Sequence, residues 1–572
     1  MSIFYALRFD VSITAYLSLP LIALALFVSL VEIKPGIILI KFLATVEFLF
    51  ILFSESWDLV YIKYAAKRAT FDVYAFYSKG QDKEQLIALL ARFWYIPLFA
   101  LGYFILFYFL LRKVSRIPIK RFQLIPTGTR FFVYACLAFV LARNSFGPKP
   151  LGVADALVVK DPITAQLTLN STFVLLKTIQ NKPVPTTTYI PKNIEHQYVN
   201  PQLNFQRDGS ESRYNLMFII VESLGNNQLF QTVNGYPLTP FLDSLAINQA
   251  NPFGIRGIAE GKTSVECLPA MFAGIPSLME TPYILSNYST NQLTGFPSIC
   301  NEKGYHTYFV HGGKRGTMRF DAMANALGFQ NQWYQNELPK KPSNLGSWGV
   351  HDHAVFNHLS KKIPLIKSPF MMTVFTLSTH EPFDIPSSQL NNYPKLSKEK
   401  QSYRYLDDQL RLFFLQNSKK SWFKNTIFII TGDHTPVHLD NAQYQISDYF
   451  SVPILVITPH GFQGELAMRE QQDIVPELCR AMHWKSKLYS FYNPKNSDVI
   501  RYMNGVYYIW NDRYTLQFNE VTQNWRIQLK KHKKSSEDNK KLLHLSIKAS
   551  KTNFLSLLQR FRRDLRLNKT HR

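Results

Sequence analysis

Cysteine is scarce in this chain, with four residues in 572. Cys136, Cys267, Cys300 and Cys479 show no paired spacing, so no disulfide framework is implied, although one pair could bridge outside a cell. Acidic residues are also few: 40 Asp and Glu face 64 Lys and Arg, a formal charge of +24. Nucleic acid is the usual partner inferred for such a chain. The long apolar runs, most of them in the first 145 residues, point instead to anionic lipid. Most such runs end by residue 145, and the rest reads as an ordinary globular mixture long enough for a sizeable core.

Four stretches read as membrane spans. Val11–Val31 carries no charge and lacks both a basic leader and a small-residue cleavage site, so an anchor is expected rather than a removed signal. Ile37–Phe53 is interrupted by Lys41 and Glu47, and Phe93–Leu111 is closed by Arg112 and Lys113. Phe131–Ala142 is short and could span only if Arg130 and Arg143 reach outward along their aliphatic stems. Between the third and fourth stretches stand six basic residues and no acid, which places that loop in the cytoplasm and everything after Ala142 outside. The basic residues of Ser54–Ala91 fit the outer side poorly, and a structured interfacial segment is expected there. The expected division is 1–145 for the membrane helices, 146–213 for a connector rich in Pro, Thr and Asn with one helix at Pro162–Gln180, 214–530 for a catalytic domain, and 531–572 for a basic tail. That tail has two readings, a solvated and partly disordered segment or a surface that meets lipid.

After Arg213 the pattern becomes α/β. Leu216–Val221, His306–Val310, Phe370–Leu377, Thr426–Ile430 and Val452–Ile457 are continuous apolar runs separated by longer segments, as in a mostly parallel sheet covered on both faces. A small meander is expected near the end, over Val506–Trp510, Tyr514–Phe518 and Trp525–Leu529. Glu222 follows the first run, His380 the third, and Asp433 with His434 the fourth. Ligands bind at the carboxyl ends of strands in such sheets, so these side chains converge on one crevice. Two carboxylates and an imidazole suit a divalent ion such as Mn²⁺ or Zn²⁺.

A fourth ligand is expected from Gly261-Lys262-Thr263-Ser264. This tetrapeptide has the ending of a phosphate-binding P-loop, but Arg256 stands where its first glycine belongs. A helix predicted over Ser264–Ala273 puts Thr263 at its N-terminus, where the helix dipole and a cation would both favour an alkoxide. An ordinary Thr N-cap would occupy the same position.

Val221-Glu222-Ser223, Gly261-Lys262-Thr263-Ser264, Ser378-Thr379-His380-Glu381-Pro382-Phe383 and Thr431-Gly432-Asp433-His434 together resemble the lipoteichoic acid synthase family, in the sulfatase-like branch of the alkaline phosphatase superfamily. The resemblance covers roughly Asn215 to Gln528, and Arg8-Phe9-Asp10 is similar to the membrane domain of some members. It implies a phosphoglycerol or related phosphoalcohol transferase that takes its group from a phospholipid donor. The acceptor would be an envelope glycan or glycolipid, and the catalytic domain of this multi-pass protein would lie outside the bacterial plasma membrane. By the same resemblance Thr263 is the nucleophile, and Glu222, Thr263, Asp433 and His434 hold the metal, Mn²⁺ in preference to Zn²⁺. His380 contacts the phosphate or protonates the leaving group, and His311 and Arg319 bind substrate. Trp348-Gly349-Val350-His351-Asp352 fits the family as scaffold. Gly313 and Lys314 replace an acidic residue frequent in the family, which bears on headgroup and acceptor. The competing readings are a sulfate or phosphate ester hydrolase and a catalytically silent lipid-binding scaffold.

Overall fold

The computed structural model describes residues 2–31, 36–78, 92–114, 124–144, 149–159, 161–206, 209–390, 392–436, 444–495, 497–530 and 537–571. The chain divides into two compact units. One comprises Met1–Pro183, Leu285–Asn291 and Arg566–Asn568; the other comprises Val184–Ile284, Gln292–Leu565 and Lys569–Arg572.

The first unit contains, among the described residues, four long helices, α1 (Ser2–Val31), α2 (Gly36–Ala65), α3 (Tyr95–Val114) and α4 (Leu124–Arg143). Among the described residues three stretches, Ile3–Val28, Gly36–Lys63 and Tyr95–Lys113, are long and apolar enough to cross a membrane. The expected fourth stretch lies in α4, but its apolar part, Phe131–Arg143, is too short by length and composition. The basic segment 115–123 and residues 79–91 of the interfacial segment lie outside the described residues. The helix expected at Pro162–Gln180 is two helices, Pro162–Thr168 and Ser171–Thr178. Asn170 causes the break, because its side chain accepts the Phe173 N–H at 3.0 Å and so begins a new helix. A buried polar group stiffens this unit: Asp58 accepts from Arg68 at 2.6 Å and from the Ala69 N–H at 2.5 Å.

The second unit is built on a six-stranded sheet of β1 (Asn215–Val221), β2 (His306–His311), β3 (Asn331–Trp333), β4 (Phe370–Phe375), β5 (Thr426–Gly432) and β6 (Ile454–Ile457). The spatial order is β3-β2-β4-β1-β5-β6. Five strands run parallel, and β6 alone runs antiparallel to β5. β1, β4 and β5 are buried at every position, as expected of strands covered on both faces. The predicted helix after the Gly-Lys-Thr-Ser segment, α5, spans Ser264–Ala273.

The C-terminal strands form an antiparallel meander of four, β7 (Val499–Met503), β8 (Val506–Trp510), β9 (Tyr514–Asn519) and β10 (Asn524–Leu529). Beyond it, residues 537–566 are not solvated chain but a 30-residue helix, α6 (Glu537–Arg566). Phe554, Leu558, Phe561 and Leu565 recur at helical spacing and are all buried. Arg562, one of the cations of the basic cluster, is itself buried and forks onto both oxygens of Glu520 at 2.5 and 2.6 Å.

Candidate active site

Register sets the centre of the site. β1 and β5 are neighbours with Val221 opposite Gly432, so the residues that leave them, Glu222 and Asp433, emerge side by side. Gly432 is required here: a Cβ at that position would lie 1.9 Å from the Leu224 carbonyl oxygen. The chain turns sharply after β1, with Ser223 at φ +55°, a conformation that costs a non-glycine residue about 1 kcal/mol or more. The turn aims the Ser223 N–H at Asp433 Oδ1, 2.6 Å away, and its hydroxyl at Glu222 Oε1, 2.9 Å away. The His434 N–H donates to the same Asp433 oxygen at 2.8 Å.

Glu222, Asp433 and His434 each offer a ligand atom within 4.8 Å of the other two, and all three are buried. His434 Nε2 stands 3.4 Å from Asp433 Oδ2 and 3.6 Å from Glu222 Oε1. Its other nitrogen, Nδ1, lies 2.7 Å from the Thr435 carbonyl, which holds a proton there and leaves Nε2, facing the carboxylates, as the nitrogen that would ligate a cation once deprotonated. Asp433 Oδ2 is buried with no hydrogen-bond partner among the described residues. Burial and the charge of Glu222 push the Asp433 carboxyl up to about 7. Burial alone would lower the His434 imidazole, but Asp433 and Glu222 outweigh it and push it up to about 10. For Glu222 burial works upward, and His434 and His380 overcome it to hold the carboxyl low. An orphaned carboxylate oxygen, crowded negative charge and an oriented imidazole fit a divalent cation.

At the α5 N-terminus the two adjacent hydroxyls part company. Ser264 Oγ is buried, 3.1 Å from Glu222 Oε2 and 3.3 Å from His434 Nε2. Thr263, the expected fourth ligand, instead donates its hydroxyl to Glu266 Oε2 at 2.8 Å and is exposed. The same oxygen accepts the N–H groups of Lys262 and Thr263 at 2.9 Å each. Gly261 makes room for that carboxylate, since a Cβ there would fall 2.5 Å from Glu266 Oε2. The cause is local: a Glu three residues into a helix reaches back to the orphan N–H groups at its start, and Thr263 lies within the same reach. The Thr-Ser-Val-Glu string carries the capping-box spacing, a signal for this outcome that reading Thr263 as a ligand passes over.

The remaining expected residues come from the end of β2, the turn that follows it and the segment after β4. His311 ends β2, which pairs with β4; its Nδ1 meets the Phe375 carbonyl at 3.2 Å, while Nε2 is buried without a partner among the described residues. Burial lowers this imidazole to about 4, so it is neutral and Nε2 accepts. Arg319 follows Met318 in a turn where both have positive φ, +59° and +49°, a strained pair of the kind found at working sites. His380 points Nδ1 at the Glu381 carbonyl, 2.7 Å away. Trp348, read from sequence as scaffold, packs its ring edge-on to His380 with centroids 4.6 Å apart. Its motif neighbour Asp352 is structural, fully buried and accepting the N–H groups of Leu377 and Ser378.

Residues 214–484 match the Sulfatase family model. Lipoteichoic acid synthase 1 of Bacillus subtilis (strain 168) is 24% identical over 345 residues, covering 54% of this chain and 52% of that protein. Lipoteichoic acid synthase of Staphylococcus aureus (strain USA300) is 25% identical over 239 residues, covering 40% of this chain and 36% of its own. The chain thus spans about half or less of the length of these curated relatives. Among solved structures, a protein in the alkaline phosphatase superfamily from Vibrio parahaemolyticus superposes with a TM-score of 0.51 at 19% identity, over 72% of this chain and 95% of that one. That likeness establishes the fold. Residues 214–484 of this chain are thus similar to the Sulfatase family, and the proteins it matches by sequence include ones named lipoteichoic acid synthase.

Proposed function

We propose that this chain transfers a phosphoglycerol-type group from a phospholipid headgroup to an envelope glycan or glycolipid, through a phosphothreonine on Thr263, on the outer side of a bacterial plasma membrane. The observation that supports this reading most is the meeting of Glu222, Asp433 and His434 with a Thr-Ser helix start at one strand-end crevice. Glu222, Asp433, His434 and Thr263 would hold one divalent ion, Mn²⁺ in preference to Zn²⁺ because oxygen donors outnumber nitrogen. When bound, that ion would neutralise charge on the phosphoryl oxygens and make the Thr263 hydroxyl more acidic.

The chain's own residues account for the rest. Thr263 leaves Glu266 and gives up its hydroxyl proton to water, and its Oγ1 attacks phosphorus as the bond from phosphorus to the diacylglycerol oxygen breaks. His380, through Nε2, supplies the proton that the departing diacylglycerol takes up. Arg319 pairs with the phosphoryl oxygens and neutral His311 accepts a hydrogen bond from a headgroup hydroxyl. In the second half an acceptor hydroxyl gives its proton to His380 and displaces Thr263 from phosphorus, and the Thr263 oxygen takes a proton back from water, restoring the enzyme.

A second reading has Ser264 as the attacking group, and its place 3.1 Å from Glu222 favours it. The test compares headgroup release from a panel of headgroup-labelled lipids, phosphatidylglycerol among them, by the Thr263→Ala, Thr263→Ser and Ser264→Ala proteins. The proposal expects no turnover from Thr263→Ala, partial turnover from Thr263→Ser and retained turnover from Ser264→Ala. Unchanged release by a folded Thr263→Ala protein would overturn it.

A further inference from the structure

The meander and α6 leave an apolar patch uncovered at one end. On β10, Trp525 lies beneath Phe554 of α6, with ring centroids 5.8 Å apart. Ile527 and Leu529 follow on the same face of the strand, yet are 46% and 56% exposed. Leu529 pairs with Tyr514, whose hydroxyl meets Ser546 at 3.0 Å and Ser550 at 2.7 Å. The start of α6 therefore crosses this end of the sheet, and it presents Leu542 and Leu545 at 59% and 54% exposure. Four large aliphatic side chains from two elements thus share one surface, where a soluble domain ordinarily keeps such groups scattered.

The surrounding charge has one dominant sign. Lys541 and Lys548 lie one turn to either side of the exposed leucines on α6, and both are exposed. Lys530 follows Leu529 directly, and Arg513 precedes Tyr514, with the Lys530 N–H donating to the Arg513 carbonyl at 2.9 Å. The acids beside them in the chain are Asp512 and, at the start of α6, Glu537 and Asp538. Aliphatic side chains ringed by cations complement a bilayer surface, where acyl chains meet anionic headgroups. We propose that this patch seats on anionic lipid, Leu542, Leu545, Ile527 and Leu529 entering the headgroup boundary while Lys541, Lys548 and Arg513 hold the phosphates.

The full chain tests this in nanodiscs holding one copy each. In a Cys136→Ser background the other three cysteines are buried, so Leu545→Cys can be labelled selectively with an environment-sensitive fluorophore. Val521→Cys serves as the comparison site, since Val521 is 92% exposed at the opposite end of β10. Quenching by spin-labelled lipid is read in phosphatidylcholine discs and in discs mixed with phosphatidylglycerol. The expected result is quenching at 545 but not at 521, strong only with phosphatidylglycerol. K541E and K548E together should raise the phosphatidylglycerol fraction needed for half-maximal quenching severalfold, as lysines near a charged surface do. No quenching at 545 in the anionic discs would overturn the proposal and leave a protein partner or a second copy as the occupant. Equal quenching at both sites, or in both lipids, would overturn it as well.

Discussion

Ser264 Oγ lies 3.1 Å from Glu222 Oε2, while the adjacent Thr263 turns its hydroxyl 2.8 Å from Glu266. Two neighbouring hydroxyls therefore serve two different carboxylates at one helix start. The proposed chemistry needs Thr263 to exchange Glu266 for the Glu222 cluster. Glu266→Gln keeps the shape but weakens that hold, because a hydrogen bond to a charged acceptor is worth about 1.5–3 kcal/mol against about 1 for a neutral one. The exchange then becomes easier, and single-turnover formation of the enzyme adduct should not slow, while thermal stability falls slightly. A complete loss of adduct formation with intact folding would show that Glu266 is needed for the chemical step itself.

Cation binding should depend on the inward-facing ligands and not on the fold. Glu222→Ala and His434→Ala each remove one ligand from a crevice whose strands are held by the sheet, so both proteins should fold. Elemental analysis should find the bound ion lost from each. Full occupancy in either would remove that residue from the site.

The pH dependence of cation binding follows from Asp433 and His434. Burial and Glu222 raise the Asp433 carboxyl to about 7, and its carboxylate neighbours raise His434 to about 10 despite burial. Both groups must shed their protons to coordinate, so protons and the cation compete. Affinity should fall as pH drops through 7, by about tenfold per unit for each proton displaced. Calorimetry in buffers of different ionisation enthalpy should detect proton release near neutral pH. Affinity independent of pH between 6 and 8, a range chosen to bracket roughly the Asp433 value, would contradict the assignment.

Behind the Thr263 loop, Arg501 is 1% exposed and reaches Glu260 at 3.1 Å and Glu470 at 2.9 Å. Its Nε donates to the Ala259 carbonyl at 2.6 Å, so the meander's first strand braces the segment leading to Gly261. Arg501→Met leaves two buried carboxylates without their cation and should cost about 3–5 kcal/mol. Chemical unfolding measures it; a loss below about 1 kcal/mol would show that the ion pairs are solvated.

The sheet and its ligand-bearing ends were legible in the sequence because parallel strands buried on both faces read as unbroken apolar runs, and Glu222, Asp433 and His434 come directly after them. Strand direction is not a compositional property, and β6 was not distinguishable as antiparallel. The side-chain torsions that separate Thr263 from Ser264 are equally invisible in a Thr-Ser pair taken without Glu266. In α6 the spacing of Phe554, Leu558, Phe561 and Leu565 was present, but dense charge between them suggested a solvated tail. Leu558→Ala, at a site with no exposed surface, should cost about 2–5 kcal/mol, which a tail would not.

The most direct test of the central claim is to trap the enzyme after the first half-reaction. The full chain would be incubated with headgroup-labelled phosphatidylglycerol without acceptor, quenched in acid, digested, and its labelled peptide sequenced by mass spectrometry. The account predicts one phosphoryl-linked headgroup on Thr263, absent from the Thr263→Ala protein. A label on Ser264, or diacylglycerol release with no covalent label at any point in the time course, would contradict it.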